Sequence, residues 1–367
     1  MLPPDDHHPA ARALTRRRVL RSGAAGALGL LTAATSSACG PIRLGGPETY
    51  TPPPPGIDDL YRIDLLAVLD RAVSGADALV EAVGGDLSAD PALSSALAVL
   101  VSALPAQRSA LLTGAQAERE QAVATDPAPD QTPSPAPADA PSDGAEMVAV
   151  LVELRDLATD AARQVSGSLA RPVAAIAAHT AWSVRRFHLA AHTGEVPALR
   201  TAEQIEPSRE IPTTDPPSVG AATDYHSTIE RAQQEEWYAG YVHEVLAART
   251  SADESELNLT LSERHRARAE ALGALAEQDD APVVPRQAVY ALPGGTLDEQ
   301  MAAELPTLLA QGLLVDHVAL VGAAPFARRP LSIVAAMEEA EVLVGLAGGM
   351  QPLPSLEVED PAVSDGG

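Results

Sequence analysis

The stretch LSERHRARAEAL, residues 261–272, sets Glu263, His265, Arg266, Arg268 and Glu270 on one helix. Ionisable groups of both signs at this spacing have two uses: half of a metal site completed by a neighbouring helix, or a polar face that closes on itself through ion pairs. A second set lies earlier, His179, His188 and His192, with the last two four residues apart beside Trp182 and Phe187. Two imidazoles at that spacing can share a metal, but HExxH is absent and no cysteine assists, so an aromatic face with polar edges is the simpler reading. No G-x-S-x-G elbow activates a serine, and no P-loop or GxGxxG cradles a phosphate.

Such residues need rigid elements to position them, and the composition favours helices. The chain is 46% hydrophobic but only 3% aromatic, so its apolar content is mostly Ala, Leu and Val; Ala and Leu lose little on entering a helix. All 25 basic residues are arginine, and the net charge is −25. That charge excludes a nucleic-acid partner, which would require a basic patch to displace counterions. It also repels the body from anionic lipid surfaces.

Apolar residues recurring at three and four predict helices over 57–84, 91–122 with a break near Pro105, and 146–193 interrupted near Gly167 or Pro172. The second half predicts helices at 222–250, 258–278, 297–323 and 328–347. No useful alternating run exists; APVVPRQAVYALP comes nearest, and its prolines demote it to a loop. At 367 residues there is room for two domains. The expectation is all-α: two four-helix units, with an N-terminal helical domain at 57–199 and a second domain at 222–349. Between and after them lie Pro-rich segments: a disordered insertion at 125–144, a linker at 200–221 and a disordered tail at 350–367.

The N-terminus reads as an address. TRRRVLR, residues 15–21, resembles the twin-arginine export motif, with Arg16 and Arg17 as the invariant pair. The apolar run behind it is about 13 residues, the length of a signal h-region and short of a spanning helix. The chain's one cysteine, Cys39, follows in SSACG, which resembles a bacterial lipobox although Ser36 stands where an aliphatic residue is preferred. Residues 1–38 then form a signal peptide read by the twin-arginine translocase, and 39–56 a lipid-anchor cysteine with a Pro-rich tether. Cleavage removes five arginines and two aspartates, a net +3, and leaves about −28. The expected location is the extracytoplasmic face of the cell membrane, held by lipid; plain secretion with a free thiol is the alternative.

Three short motifs, EEWYAGYVHEVLAA with Glu236, HRARAEAL with His265, Arg266 and Arg268, and AVYALP with Tyr290, Leu292 and Pro293, occur in order across 222–347. Together they resemble a ferritin-like domain family of unknown function found in exported proteins of high-GC Gram-positive bacteria. The resemblance implies a four-helix bundle for the second unit, and ferritin-like folds invite a di-iron site. Such a site takes Glu from two helices and Glu-x-x-His from two others. None of the nine histidines has Glu three positions earlier; Gly240, Ser262 and Leu314 precede His243, His265 and His317. What remains is a partial set: His265 with Glu236 and Glu304 around a single Fe, Mn or Zn, or a polar seam of Glu236, His265, Arg266 and Arg268 that holds no cofactor. In the last helix Glu338, Glu339 and Glu341 cannot all face inward.

Two functions follow. The favoured one is a non-enzymatic, lipid-anchored envelope protein that binds or scaffolds an envelope partner of unknown identity. The alternative is a metal-binding ferritin-like oxidase or metal store with a reduced site.

Overall fold

Helix starts in this chain are written by short polar residues whose side chains accept from the otherwise unpaired first N–H groups. In a computed structural model describing residues 55–83, 90–125, 137, 139–210, 222–292 and 297–356, Asp90 accepts from Leu93 N, Asp143 from Glu146 N and Asp298 from Met301 N. Ser251 and Glu254 form a reciprocal capping box. The helices they and their neighbours open are α1 (Ile57–Val83), α2 (Pro91–Leu111), α3 (Gly114–Thr125), α4 (Gly144–Gln164), α5 (Gly167–Ala191), α6 (Ala222–Ala247), α7 (Ala252–Gln278), α8 (Glu299–Ala323) and α9 (Pro330–Leu346). Two short 3₁₀ turns and no strand complete the described residues, so the protein is all-α.

The differences from the expected bounds have local causes. The capping box starts α7 at Ala252, six residues before the position expected from apolar periodicity. Pro105 does not break α2. Pro105 and Val101, whose carbonyl loses its helical donor, both lie on the exposed side of α2, where solvent can take the place of that donor. The break comes at Leu112, after which α3 begins as a separate helix. The α4–α5 interruption falls at Val165–Ser166, where Asp58 on α1 accepts from Ser166 N at 2.7 Å and from its Oγ at 2.5 Å. Pro172 and Pro306 are the sixth residue of α5 and the eighth of α8, and neither ends its helix.

The described residues form one compact unit. Helices α1, α2, α4 and α5 pack on one another, as do α6 with α7 and α8, and α8 with α9; α5 in turn packs on α8 and α9. The largest apolar cluster runs from Tyr61, Leu65 and Leu69 on α1 through Leu151 and Leu154 on α4 and Trp182 on α5 to Val318, Met337 and Leu343. Arg329, fully buried, ties the two sets of helices at their ends. Its Nη1 donates to Ala162 O at 3.1 Å and Val165 O at 2.6 Å at the end of α4, and its Nε to Ala324 O at 2.9 Å at the end of α8. A cation there completes carbonyls that have no intrahelical donor.

Parts of the Pro-rich segments are placed on this frame. Pro141 is buried against Gly75, where an added Cβ would collide with the Pro141 ring. Leu353 is buried, and Pro352 O accepts from Gln107 Nε2 at 3.0 Å. Arg16, Arg17, Cys39 and most of the tether fall outside the described residues.

Candidate functional site

The periodicity of α7 places Ser262, His265, Arg268, Ala269, Leu272 and Ala276 on one buried face. That face lies along α6, and the helices approach closely at Gly240. An added Cβ there would sit 3.0 Å from Arg266 Cγ and 3.3 Å from Ser262 O, and Ser262 Oγ donates to Gly240 O at 2.6 Å.

One helical turn before Gly240, Glu236 points into the bundle with no accessible surface. Its Oε2 accepts from His265 Nδ1 at 2.7 Å. Its Oε1 accepts from His317 Nε2 on α8 at 2.7 Å and from Arg268 Nη1 at 3.3 Å. Arg268 continues the network: Nη1 meets Glu339 Oε1 on α9 at 2.6 Å, and Nη2 pairs with Glu338. Arg264 reaches Glu339 from the outer edge at 3.3 Å. His243 stacks on His265 with ring centroids 5.3 Å apart, and its Nδ1 meets Asn258 Oδ1 at 2.8 Å. All four helices of the second half thus contribute to one polar layer. Smaller apolar clusters flank it, Ile229, Ala232 and Leu320 on one side, Ala239, Leu309 and Leu313 on the other.

The electrostatics follow from burial and pairing. Burial alone would raise the Glu236 carboxyl, but hydrogen bonds from His265 and His317 and the Arg268 charge outweigh it and hold it well below the usual carboxylate range. Burial opposes charge on Arg268 too, and Glu236, Glu339 and Glu338 reverse it, so Arg268 stays a cation. Burial lowers His243 to about 4, which keeps that ring neutral against its stacked neighbour. With Glu236 ionised, His317 carries its proton on Nε2. Its buried Nδ1 is left without a partner.

Of the residues expected from sequence, Glu236, His265 and Arg268 are brought together. Arg266 is not: it turns outward and pairs with Glu244. Glu304 is exposed and accepts from Gln300 Nε2 at 2.9 Å, 13 residues and so about 20 Å along α8 from His317. The layer's other two principal members, His317 and Glu339, were not paired with it by sequence. Their signal was weak but present. His317 is a lone imidazole in an otherwise apolar stretch, and Glu339 is four residues from both Ala335 and Leu343 on the buried face of α9. The earlier histidines do not form a group. His179 is buried against Trp182, its Nδ1 3.2 Å from Ser183 Oγ; His188 Nδ1 meets Thr193 Oγ1 at 2.8 Å; and His192 closes α5 in a left-handed conformation.

A carboxylate-bridged di-iron centre does not fit this layer. Four protein carboxylates and two histidines would have to surround the metals, whereas here a guanidinium stands between the two buried carboxylates, Glu236 and Glu339. Among the described residues no group of three or more His, Cys, Asp and Glu is disposed to hold a metal ion. The arrangement binds charge to charge across four helices.

No curated protein and no solved structure matches this chain. Over residues 228–358, from the first turns of α6 to the segment after α9, the chain matches the family described as Domain of unknown function (DUF4439).

Proposed function

We propose that this chain is an exported, lipid-anchored protein of the bacterial cell envelope whose helical body is a binding or scaffolding module. The observation that carries the second half of this reading is the position of Arg268, 3.3 Å from Glu236 and 2.6 Å from Glu339. On this reading α6–α9 is a ferritin-like bundle in which a guanidinium supplies the positive charge that metal ions supply in di-iron members of such folds. Its polar layer then fixes the register of four helices instead of running a reaction. The first half rests on Arg16, Arg17, Cys39 and the Pro-rich tether. With twin-arginine export, a lipid on Cys39 and a strongly acidic body, the module stands off an anionic membrane surface.

Metal analysis and thermal melts of the full-length protein test the module reading. The expected result is no stoichiometric metal and a melting temperature unmoved by chelator or by added Fe²⁺, Mn²⁺ or Zn²⁺, since a ligand that binds only the folded state raises its stability. Stoichiometric metal that disappears in His265→Ala would establish the oxidase or metal-store reading in its place. Anchoring is tested by fractionating cells that express Cys39→Ser. The variant is expected to move from the membrane to the soluble fraction, and unchanged membrane association refutes the lipid anchor.

A further inference from the structure

The motifs that meet at the buried layer also present an outer face, and that face is a groove. Next to inward-facing Glu236, Trp237 is buried under the segment after α7 and Tyr241 is half-buried at the rim; where Arg268 turns inward, Arg266 turns outward; and Tyr290 arrives from the segment after α7. Four of the chain's ten aromatic residues gather here, with Tyr290 centred 6.1 Å from Tyr238 and 5.4 Å from Tyr241.

The wall opposite α6 is irregular backbone, yet it is held in place. Buried Gln233 donates to Pro282 O at 3.0 Å and accepts from Val284 N at 3.0 Å, Trp237 Nε1 donates to Val284 O at 3.1 Å, and Tyr290 Oη accepts from Gln287 N at 3.0 Å. Preorganisation of this kind lowers the ordering cost of binding.

Two adjoining depressions make up the groove, the second of them shallow. One, of about 240 Å³, is polar, with Arg266, Arg286 and Gln287 beside the rings. The other, of about 480 Å³, is apolar, with Val245, Ala248, Leu292 and Leu297. Tyr241 and Glu244 belong to both. Arg266 is paired with Glu244, and Arg286 has no ion-pair or hydrogen-bond partner among the described residues. With Arg249 at the apolar end, three guanidiniums and one carboxylate line the groove, a positive island on a molecule of net charge −25.

We propose that this groove binds a free, single-chain anionic amphiphile. A carboxylate or phosphate head lies at Arg286, the geometry guanidinium groups favour, and a hydrocarbon tail runs past Tyr241 to Leu292 and Leu297. Charge complementarity selects the head, and the apolar end selects the tail; sites for small ligands combine these features. The acidic body disfavours docking on an anionic bilayer, so the ligand is a free molecule. The proposal rests on the binding-module reading and names its ligand class.

Calorimetry on the full-length protein with decanoate below its micellar concentration tests this, with tryptophan emission, to which Trp237 and core Trp182 contribute, as a second readout. Decanoate is expected to bind at one site and shift the emission. Acetate, which has the head alone, and decyltrimethylammonium, which has a tail of the same length under a positive head, are expected not to bind. Arg286→Glu, at an exposed position, should weaken decanoate binding about tenfold or more, and Leu292→Asp should weaken it from the other end. Equal binding of decyltrimethylammonium, undiminished binding to Arg286→Glu, or capture by anionic phospholipid vesicles without decanoate binding would overturn the proposal. None of those outcomes alters the metal or fractionation results, so failure of the ligand class and failure of the module reading are separable.

Discussion

Glu236 on α6 and His265 on α7 are joined at 2.7 Å with neither side chain more than 1% exposed, and the same carboxylate holds His317 of α8 at 2.7 Å. One carboxylate therefore fixes the relative positions of three helices, and through Arg268 a fourth. Burying such a group without partners is expensive, so its removal and its partners' removal must be coupled.

Glu236→Ala should destabilise the protein by about 3–5 kcal/mol, because two buried imidazoles lose their acceptor and Arg268 loses one of the three carboxylates around it. His265→Ala should lose about 1–3 kcal/mol. The double variant should lose clearly less than the sum, since the second change removes a group already without its partner. Denaturant titrations of the wild type and three variants measure this, and strict additivity would show that the two residues act independently.

Stability should fall in acid in two stages. Burial lowers His179 and His243 to about 4, so between the ordinary histidine value of about 6.5 and 4 the unfolded chain binds protons that the folded chain refuses. Stability is then highest above that range and declines as pH drops through it. Glu236 adds a later loss: its folded value lies below the unfolded one, so its contribution is present above about pH 4.3 and disappears as the carboxylate is protonated. His179→Phe should make the decline between pH 6.5 and 4.5 shallower by about 2 kcal/mol, read from melts at several pH values. A slope identical to wild type would show that His179 titrates alike in both states.

Arg329→Met should destabilise by about 3 kcal/mol, because three carbonyls at the ends of α4 and α8 lose a charged donor. The methionine keeps most of the volume, so the loss reports hydrogen bonds more than packing. A change under about 0.5 kcal/mol would mean that water replaces the guanidinium.

Gly240→Leu should destabilise by about 1–3 kcal/mol by pushing α6 away from Ser262 and Arg266 on α7. Gly240→Ala should be milder, because helix propensity offsets part of the contact. Hydrogen exchange should show the α6 and α7 amides loosening in Gly240→Leu ahead of those of α4 and α5.

Local rules made much of the fold legible. Apolar spacing marked α1 and every helix from α4 to α9, and Asp90 with Pro91 marked the start of α2, because helix periodicity and capping act within a few residues. The same locality made His265 and Arg268 visible as polar residues on a helix face, and the resemblance of short motifs singled out Glu236. The motifs read as export and lipidation signals, at Arg16, Arg17 and Cys39, are likewise confined to a short linear segment. Tertiary structure decided what no local rule reaches. Pro105 stays within α2 on its exposed side, where the Val101 carbonyl can lose its helical donor without being sealed from solvent, and whether a turn is exposed is set by distant packing. Arg266 and Arg268 are two residues apart and carry the same charge, yet one pairs with exposed Glu244 and the other enters the buried layer; the helix rotation fixed by packing on α6 separates them. Arg329 reads as an ordinary arginine until the ends of α4 and α8 converge on it. His317 and Glu339 lie 81 and 103 positions from Glu236, so folding had to bring α8 and α9 onto α6 and α7 before their charges could compensate one another.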